Sequence, residues 1–459
     1  MKLVPSSLLS LGLALLLPAG ALVAQLNDGK PDPGFPVPDS LNLPYALAFA
    51  LDNNFTIRQA KERIRQQEGV VLEVRGPQIP NVSASGNYQR NATEISQNGK
   101  DSNWGVSITA KQTLYAGGGV VASIKSQKLA LEAATLDLQS VINAALLDVR
   151  TKFYTVLVSR EKIKVQEQNV ELLQRQLQDV KNRFEAGTVS NFEVLRAEVS
   201  LANAQPALIT ARNDYRLAIE ELRQALGFTT ATEPFVTKIP EFIGTLDFTP
   251  TTFDLRSALM SAREKRPDLL RLTKLADAAE QGVYVRKANY YPNLAAFGSY
   301  AYTDGSIFFG PNSPSQLHGW TVGLQSTWNI FDGRATAGRV AQARSLLEQA
   351  KLSAAEAQLI VDVDVRRAVS NFQQASELAE ASKKVVEQAE EAARLANARF
   401  GAGTATQLDV LTSQVDLTTA RLNQLQAFYT YNVAVASLRK AMGLTDEMRP
   451  TKELAYPAK

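Results

Sequence analysis

Residues 119–184 contain no proline and, after Gly119, no further glycine. Most are good helix formers: Ala, Leu, Gln, Glu and Lys. From Ile142 the apolar positions advance by four and three: Ile142, Leu146, Val149, Phe153, Val156, then Ile163, Val170, Leu173, Leu177, Val180 and Phe184. This is the a/d seam of a coiled coil. Two steps of the ladder are polar, Arg160 and Glu167. Such a helix spans roughly 100 Å, longer than any compact domain holds. It closes at Glu185-Ala186-Gly187-Thr188, and a second helix is expected to return over 190–226. The chain therefore contains a rod-like helical hairpin.

That rod sets aside the usual reading of a 459-residue chain as several globular domains. A net charge of +3 with no basic run makes nucleic acid an unlikely partner. There is no cysteine and one histidine, His318, placed in a loop before Trp320, which leaves no disulfide, thiol nucleophile or zinc set. The N-terminus reads as a secretory signal over 1–24. Lys2 precedes an apolar run over 8–17, followed by Pro18 and small residues that allow cleavage after Ala21 or Ala24. The run is too short to span a bilayer, and no later stretch is long and apolar enough. No cysteine follows the cleavage site, so no lipid anchor is expected there. Residues 25–42, with Pro31, Pro33, Pro36 and Pro38, read as an extended leader. Short helices are expected over 43–52 and 55–75.

The period then changes to two. Val82, Ala84, Gly86 and Tyr88 alternate with polar residues, as do Trp104, Val106, Ile108, Ala110 and Leu114. These are strands of membrane-barrel length and pattern, or a hairpin with one buried face in a soluble domain. A repeat supplies the next constraint. Arg183-Phe184-Glu185-Ala186-Gly187-Thr188 recurs as Arg399-Phe400-Gly401-Ala402-Gly403-Thr404, offset by 216. Glu193-Val194-Leu195 recurs as Asp409-Val410-Leu411, and the run ending at Gly227 recurs as the run ending at Gly443. Pro80, Gly86 and Tyr88 match Pro292, Gly298 and Tyr300 at 212, so the extra residues of the second copy fall in its strand loop. In that copy Trp320, Val322, Leu324, Trp328 and Ile330 share one expected face. Trp104, Trp320 and Trp328, with Tyr300 and Tyr302 nearby, sit where an interfacial aromatic girdle needs them.

The domains expected are repeat 1 over 43–228 (strands 80–114, helical hairpin 119–227) and repeat 2 over 253–444 (strands 292–331, helical hairpin 335–443). An irregular connector over 229–252 joins them, and 445–459 form a tail. Pro206 in the first return helix, opposite Leu422 in the repeat, predicts a kink or bulge near 202–206. The fold class is mainly α with a small membrane β-barrel, in two tandem repeats of helix, strand, strand, long helix, helix. Four strands cannot close a barrel, and an open edge is not tolerated in lipid, so several chains must share one. Two give about eight strands and three about twelve.

The duplicated layout and the two copies of Arg-Phe-x-x-Gly-Thr followed by Glu/Asp-Val-Leu resemble the TolC-type outer membrane efflux family, over nearly the whole mature chain. The resemblance implies a homotrimer in outer-membrane lipid, with a shared 12-stranded barrel and a periplasmic α-helical tunnel. It implies docking to a periplasmic adaptor and an inner-membrane pump, and passive export of drugs, small molecules or proteins. It places adaptor contact at the tip, Gly187, Thr188, Val189, Gly403, Thr404 and Ala405, and a constriction at Asp409, with Glu193 as its repeat mate. The family's second acidic ring position is Thr412 here, and a tyrosine and an arginine of its closed latch are Phe400 and Ala405. Thr406-x-x-Asp409 and Ser190-x-x-Glu193 also have the spacing of capping boxes, which would explain both acids locally. The competing readings are a periplasmic coiled-coil scaffold, which leaves the tryptophan-bearing strands unexplained, and an efflux adaptor, which has one hairpin where this chain has two. An enzyme is the third. Asp362-x-Asp364 could be taken for a metal pair, but residues two apart on a helix face different ways. No catalytic residue, metal site or cofactor is expected.

Overall fold

The computed structural model describes residues 39–90, 92, 102–228, 239–304 and 316–444. The expected signal segment, most of the leader, the strand-loop tips, the first part of the connector and the tail lie outside them. Of the described residues, Asp39 and 239–241 belong to one unit, and those of 40–228 and 242–444 form a second, larger one.

The larger unit runs β1 (Ser40–Asn42), α1 (Leu43–Asn53), α2 (Phe55–Arg75), β2 (Asn81–Arg90), β3 (Ser102–Ala116), α3 (Gly119–Glu185) and α4 (Asn191–Leu226). After β4 (Glu241–Ile243), whose last two residues belong to it, come α5 (Leu255–Lys265), α6 (Pro267–Lys287), β5 (Asn293–Asp304) and β6 (Gln316–Thr327). Then follow α7 (Ala335–Gly401) and α8 (Gln407–Ala441). The two long helices, α3 and α7, each have 67 residues. Both enter from a left-handed backbone, through Gly118 at φ 79° in the first copy and Arg334 at φ 71° in the second.

Most of the expected seam of α3 is buried: Leu146, Val149, Phe153, Val156, Val170, Leu173 and Val180. Around its middle Leu157 and Val158 are buried as well, because more than one neighbour packs there. The first part of α3 lies against α2 and α6. Gln67 Nε2 donates to Gln127 Oε1 at 2.8 Å, Ser126 Oγ to the Ala278 carbonyl at 2.9 Å, and Lys274 pairs with Glu132 at 2.6 Å. The second part lies against α4 and α8. Arg212 pairs with Glu167 at 2.8 Å, Lys181 with Glu198 at 3.0 Å, and Thr418 Oγ1 meets Asn169 Oδ1 at 3.3 Å. Glu167, one polar step of the seam, is thus the partner of an arginine on the return helix.

The glycine that ends each return helix has one job in both copies. Gly227 (φ 83°) lies against the junction of α1 and α2, where a Cβ would come within 2.4 Å of the Asn53 carbonyl oxygen. Gly443 (φ 72°) lies against the junction of α5 and α6, where a Cβ would come within 2.9 Å of the Arg266 nitrogen. Only glycine permits both the left-handed backbone and the close approach. The short helices therefore abut the ends of the return helices. Asn54 helps hold the first junction, its Nδ2 donating to the Ala225 carbonyl at 2.7 Å while its Oδ1 caps α2.

Three places bear on the expectations. α4 runs through Pro206 as one continuous helix. The latter part of the connector is not simply irregular surface chain: it contains β4, and Phe242 and Leu246 are buried. Asp362 and Asp364 bind arginines at the α5–α6 junction. Arg263 Nε donates to Asp362 at 2.9 Å, and Arg266 reaches Asp364 at 3.4 Å.

Candidate functional site

Two ends of the larger unit carry the residues of interest. At one, β2, β3, β5 and β6 form an antiparallel sheet in sequence order, with β2 and β6 at its edges. Paired residues share a face, so the register assigns the faces. One face carries the rows Val82–Ala110–Gly298–Val322, Ala84–Ile108–Tyr300–Trp320, Gly86–Val106–Tyr302–His318 and Tyr88–Trp104–Asp304–Gln316. The other carries Ser83–Thr109–Ser299–Thr321 and Ser85–Ser107–Ala301–Gly319. Phe297 is an apolar member of that polar face. It lies over Gly323, where a Cβ would come within 3.0 Å of its ring.

The apolar face is exposed: Val82, Tyr88, Ile108, Tyr300, Trp320, Val322 and Leu324 all are. Trp104, Tyr300, Tyr302 and Trp320 gather near the strand-loop end, with the Trp104 and Tyr302 rings 5.2 Å apart. His318 lies within β6, not in a preceding loop. It pairs with Tyr302 and stacks on it at 6.3 Å.

Trp328 departs from its expected place. β6 ends at Thr327, because its partner β5 begins at Asn293 and is preceded by the single helical turn Ala288–Tyr290. Trp328 and Ile330 therefore lie beyond the strand, and Trp328 Nε1 donates to the Tyr290 carbonyl at 3.1 Å. This helix-side end has aromatic residues the alternation did not reveal. A bulge between Thr113 and Tyr115 shifts the register, so Tyr115 pairs with Leu294 and joins the apolar face. Tyr115, Tyr290, Tyr291 and Trp328 are all exposed.

At the far end of the long helices lies the tip. Gly187 and Gly403 have φ of 72° and 73°. The Gly187 N–H donates to the Phe184 carbonyl at 2.8 Å and the Thr188 N–H to the Arg183 carbonyl at 2.9 Å. Gly403 and Thr404 repeat this at 3.0 and 2.9 Å. These are Schellman caps. Each threonine hydroxyl also donates to the same arginine carbonyl, at 2.9 and 3.1 Å. The Gly-Thr pair is thus accounted for by helix termination. Val189 and Ala405, half-buried, follow it.

The two acids that begin the return helices differ. Asp409 closes a capping box: its N–H donates to Thr406 Oγ1 at 3.3 Å, and its Oδ2 accepts from the Thr406 N–H at 2.8 Å. Those bonds from Thr406, with Arg399 nearby, hold its carboxyl below the usual carboxylate range. Ser190-x-x-Glu193 has the same spacing but forms no box, and the Ser190 side chain makes no capping bond. Glu193 instead leans toward Arg196, 3.8 Å away. The repeat mate of Arg196 is Thr412, so Asp409 has no cation at that spacing.

The model of the outer membrane efflux protein family matches residues 47–228 and 258–444. The chain belongs to this family. It is 25% identical over 389 residues to the protein CyaE of Bordetella pertussis, covering 83% of this chain and 80% of that one. It is also 23% identical over 398 residues to the outer membrane protein TolC of Escherichia coli K12, covering 82% of this chain and 77% of that one. The fold matches the Campylobacter jejuni CmeC outer membrane channel with a TM-score of 0.74 at 15% identity, over 90% of this chain and 88% of that one. This efflux protein is therefore an outer-membrane channel for efflux or secretion, with its helical tunnel in the periplasm. It is a passive conduit and not an enzyme.

Proposed function

We propose that three copies of this channel join their four-stranded sheets into one barrel and their helices into one tunnel, docked to a periplasmic adaptor and through it to an inner-membrane pump. The observation that carries this is the sheet, with one apolar exposed face and two open edges, β2 and β6. Lipid does not tolerate open edges, so β6 of one copy must pair with β2 of the next. Two copies would reach only about eight strands, with an interior filled by side chains; three reach about twelve and leave the water-filled lumen an exit duct needs.

In this reading Trp104, Tyr300, Tyr302 and Trp320 form the outer aromatic girdle, and Trp328 with Tyr115, Tyr290 and Tyr291 the inner one. From Trp104 to Tyr115 a strand at about 3.4 Å per residue, tilted by about 40°, rises roughly 28 Å, close to the apolar band of such barrels. An inner-membrane pump supplies drugs, small molecules or proteins, which leave passively.

The tip residues Gly187, Thr188, Val189, Gly403, Thr404 and Ala405 meet the adaptor. Since Gly and Thr are already needed by the caps, Ala405 is the cleaner place to test contact. Ala405→Arg should abolish drug resistance while leaving heat-modifiable trimers in the outer-membrane fraction. Resistance equal to wild type would remove the tip from docking.

Asp409 and Glu193 line the constriction, and three Asp409 carboxylates around one axis attract cations. Asp409→Asn should relieve divalent-cation block and lower cation selectivity in planar-bilayer recordings. As a cap alone, the residue closes the first turn of α8 and its loss leaves the pore unchanged. Retained block and selectivity would leave Asp409 as a helix cap.

A further inference from the structure

Near the tip, the Arg183 guanidinium at the end of α3 lies over the Phe400 ring at the end of α7, 4.8 Å from its centroid. The contact joins the two hairpins of one chain. It lies where α3 and α7 flank α8: Arg421 of α8 reaches Glu390 of α7 at 2.8 Å and Gln168 of α3 at 3.4 Å. Arg183 and Phe400 come from the two copies of one dipeptide, Arg183-Phe184 and Arg399-Phe400. The other half of each dipeptide is exposed. Arg399 has no ring beneath it in its own chain among the described contacts, and Phe184 is 43% exposed. Arg183 is also tied to Asp179 at 2.9 Å. The repeat mate of Asp179 is the exposed Leu395, so Arg399 lacks that tether and has only the field of Asp409 nearby.

We propose that Arg399 of one copy stacks on Phe184 of the next, so that arginine–phenylalanine clasps alternate within and between chains around the tunnel. This rests on the head-to-tail trimer of the preceding section. The ends of a chain's helix row, α4 and α7, expose apolar residues that such a contact would cover: Phe192, Val199 and Ile209 on α4, and Leu378, Val385 and Leu395 on α7. A head-to-tail interface closes into a ring when its rotation allows. In that ring α7 faces the next copy's first hairpin as α3 faces its own chain's second hairpin. The repeat then places Arg399 against the next Phe184, as Arg183 lies on Phe400. An arginine over an aromatic face is attracted by the ring quadrupole.

The chain has no cysteine, so paired thiols report without background. Full-length Arg399→Cys/Phe184→Cys protein, purified in detergent and sized first, is treated with a short bis-maleimide. Arg183→Cys/Phe400→Cys serves as the within-chain reference. The expected result is that the first pair moves most of the protein to covalent trimer on a denaturing gel, while the reference stays at monomer mass. A sample that sizes as a trimer yet gives only monomer bands from the first pair overturns the clasp and spares the trimer. A solution monomer overturns both. Benzoylphenylalanine at position 184 keeps an aromatic ring in place and gives a second measurement. Cross-linked dimer and trimer with adducts mapped to Arg399 support the clasp; adducts confined to the same chain overturn it.

Discussion

Val322→Arg should clear the channel from the outer membrane, whereas Thr321→Arg, one residue away, should leave trimers in place. Val322 ends the row Val82–Ala110–Gly298–Val322 on the apolar face, between the two aromatic bands. It is 73% exposed in the single chain, and in the shared barrel its face is turned to lipid. An arginine facing lipid at the midplane of a barrel costs about 2–4 kcal/mol, and a shared barrel carries that cost once in every copy. Thr321 lies on the opposite face in the row Ser83–Thr109–Ser299–Thr321. An arginine there would face a water-filled lumen, changing conductance and selectivity and not assembly. Unheated gels of outer-membrane fractions measure both. Wild-type amounts of Val322→Arg trimer, or selective loss of Thr321→Arg, would mean the faces are reversed or the sheet is not in lipid.

Those faces were legible because alternation is a local property. The period of two, the tryptophans on it and the repeat are all readable without knowing what lies opposite. Legibility failed where pairing decides the outcome. The strand at Trp328 stops because β5 has no residue left to pair with it, and Tyr115 changes face because a bulge absorbs one residue. Neither event leaves a mark in the strand's own sequence. The tip shows the same division. Gly187 and Gly403 announce helix ends, and both ends are there. Glu193 and Asp409 occupy like spacings but make different bonds. Glu193 leans toward Arg196, three positions on, where the second copy has Thr412, and a motif read from cap to acid does not include that position.

Arg160→Met should loosen the segment that follows β4, and the reason is the second polar step of the α3 seam. In a coiled coil an arginine at a seam position reads as an interruption. Here its three nitrogens all have partners. NH1 donates to the Phe242 carbonyl at 2.5 Å, NH2 to the Gly244 carbonyl at 3.1 Å, and Nε to Glu161 Oε1 at 3.0 Å. The same stripe of α3 supplies the apolar floor: Phe153 meets Phe242 edge-on at 6.2 Å, and Leu157 lies where a Gly244 Cβ would come within 3.2 Å. Methionine keeps the packing of the arginine stem and removes the donors. Bonds from a charged group are worth about 1.5–3 kcal/mol each, and Arg160 is part exposed, so water can replace some of them; a loss of about 2–3 kcal/mol in all is expected. Amide exchange over 242–248 should then speed up by roughly 30- to 160-fold, since local opening free energy sets protection, while exchange in α4 and α8 should not change. Acid acts on the same cluster. Burial works against the Glu161 carboxylate, but Lys164 and Arg160 hold its pKa below the ordinary value. Its contribution is therefore present above that ordinary value and lost as pH falls through the depressed one. Unchanged exchange over 242–248 in Arg160→Met would show that Phe242 and its apolar floor hold the segment without the arginine, and the polar step in the seam would again need an explanation.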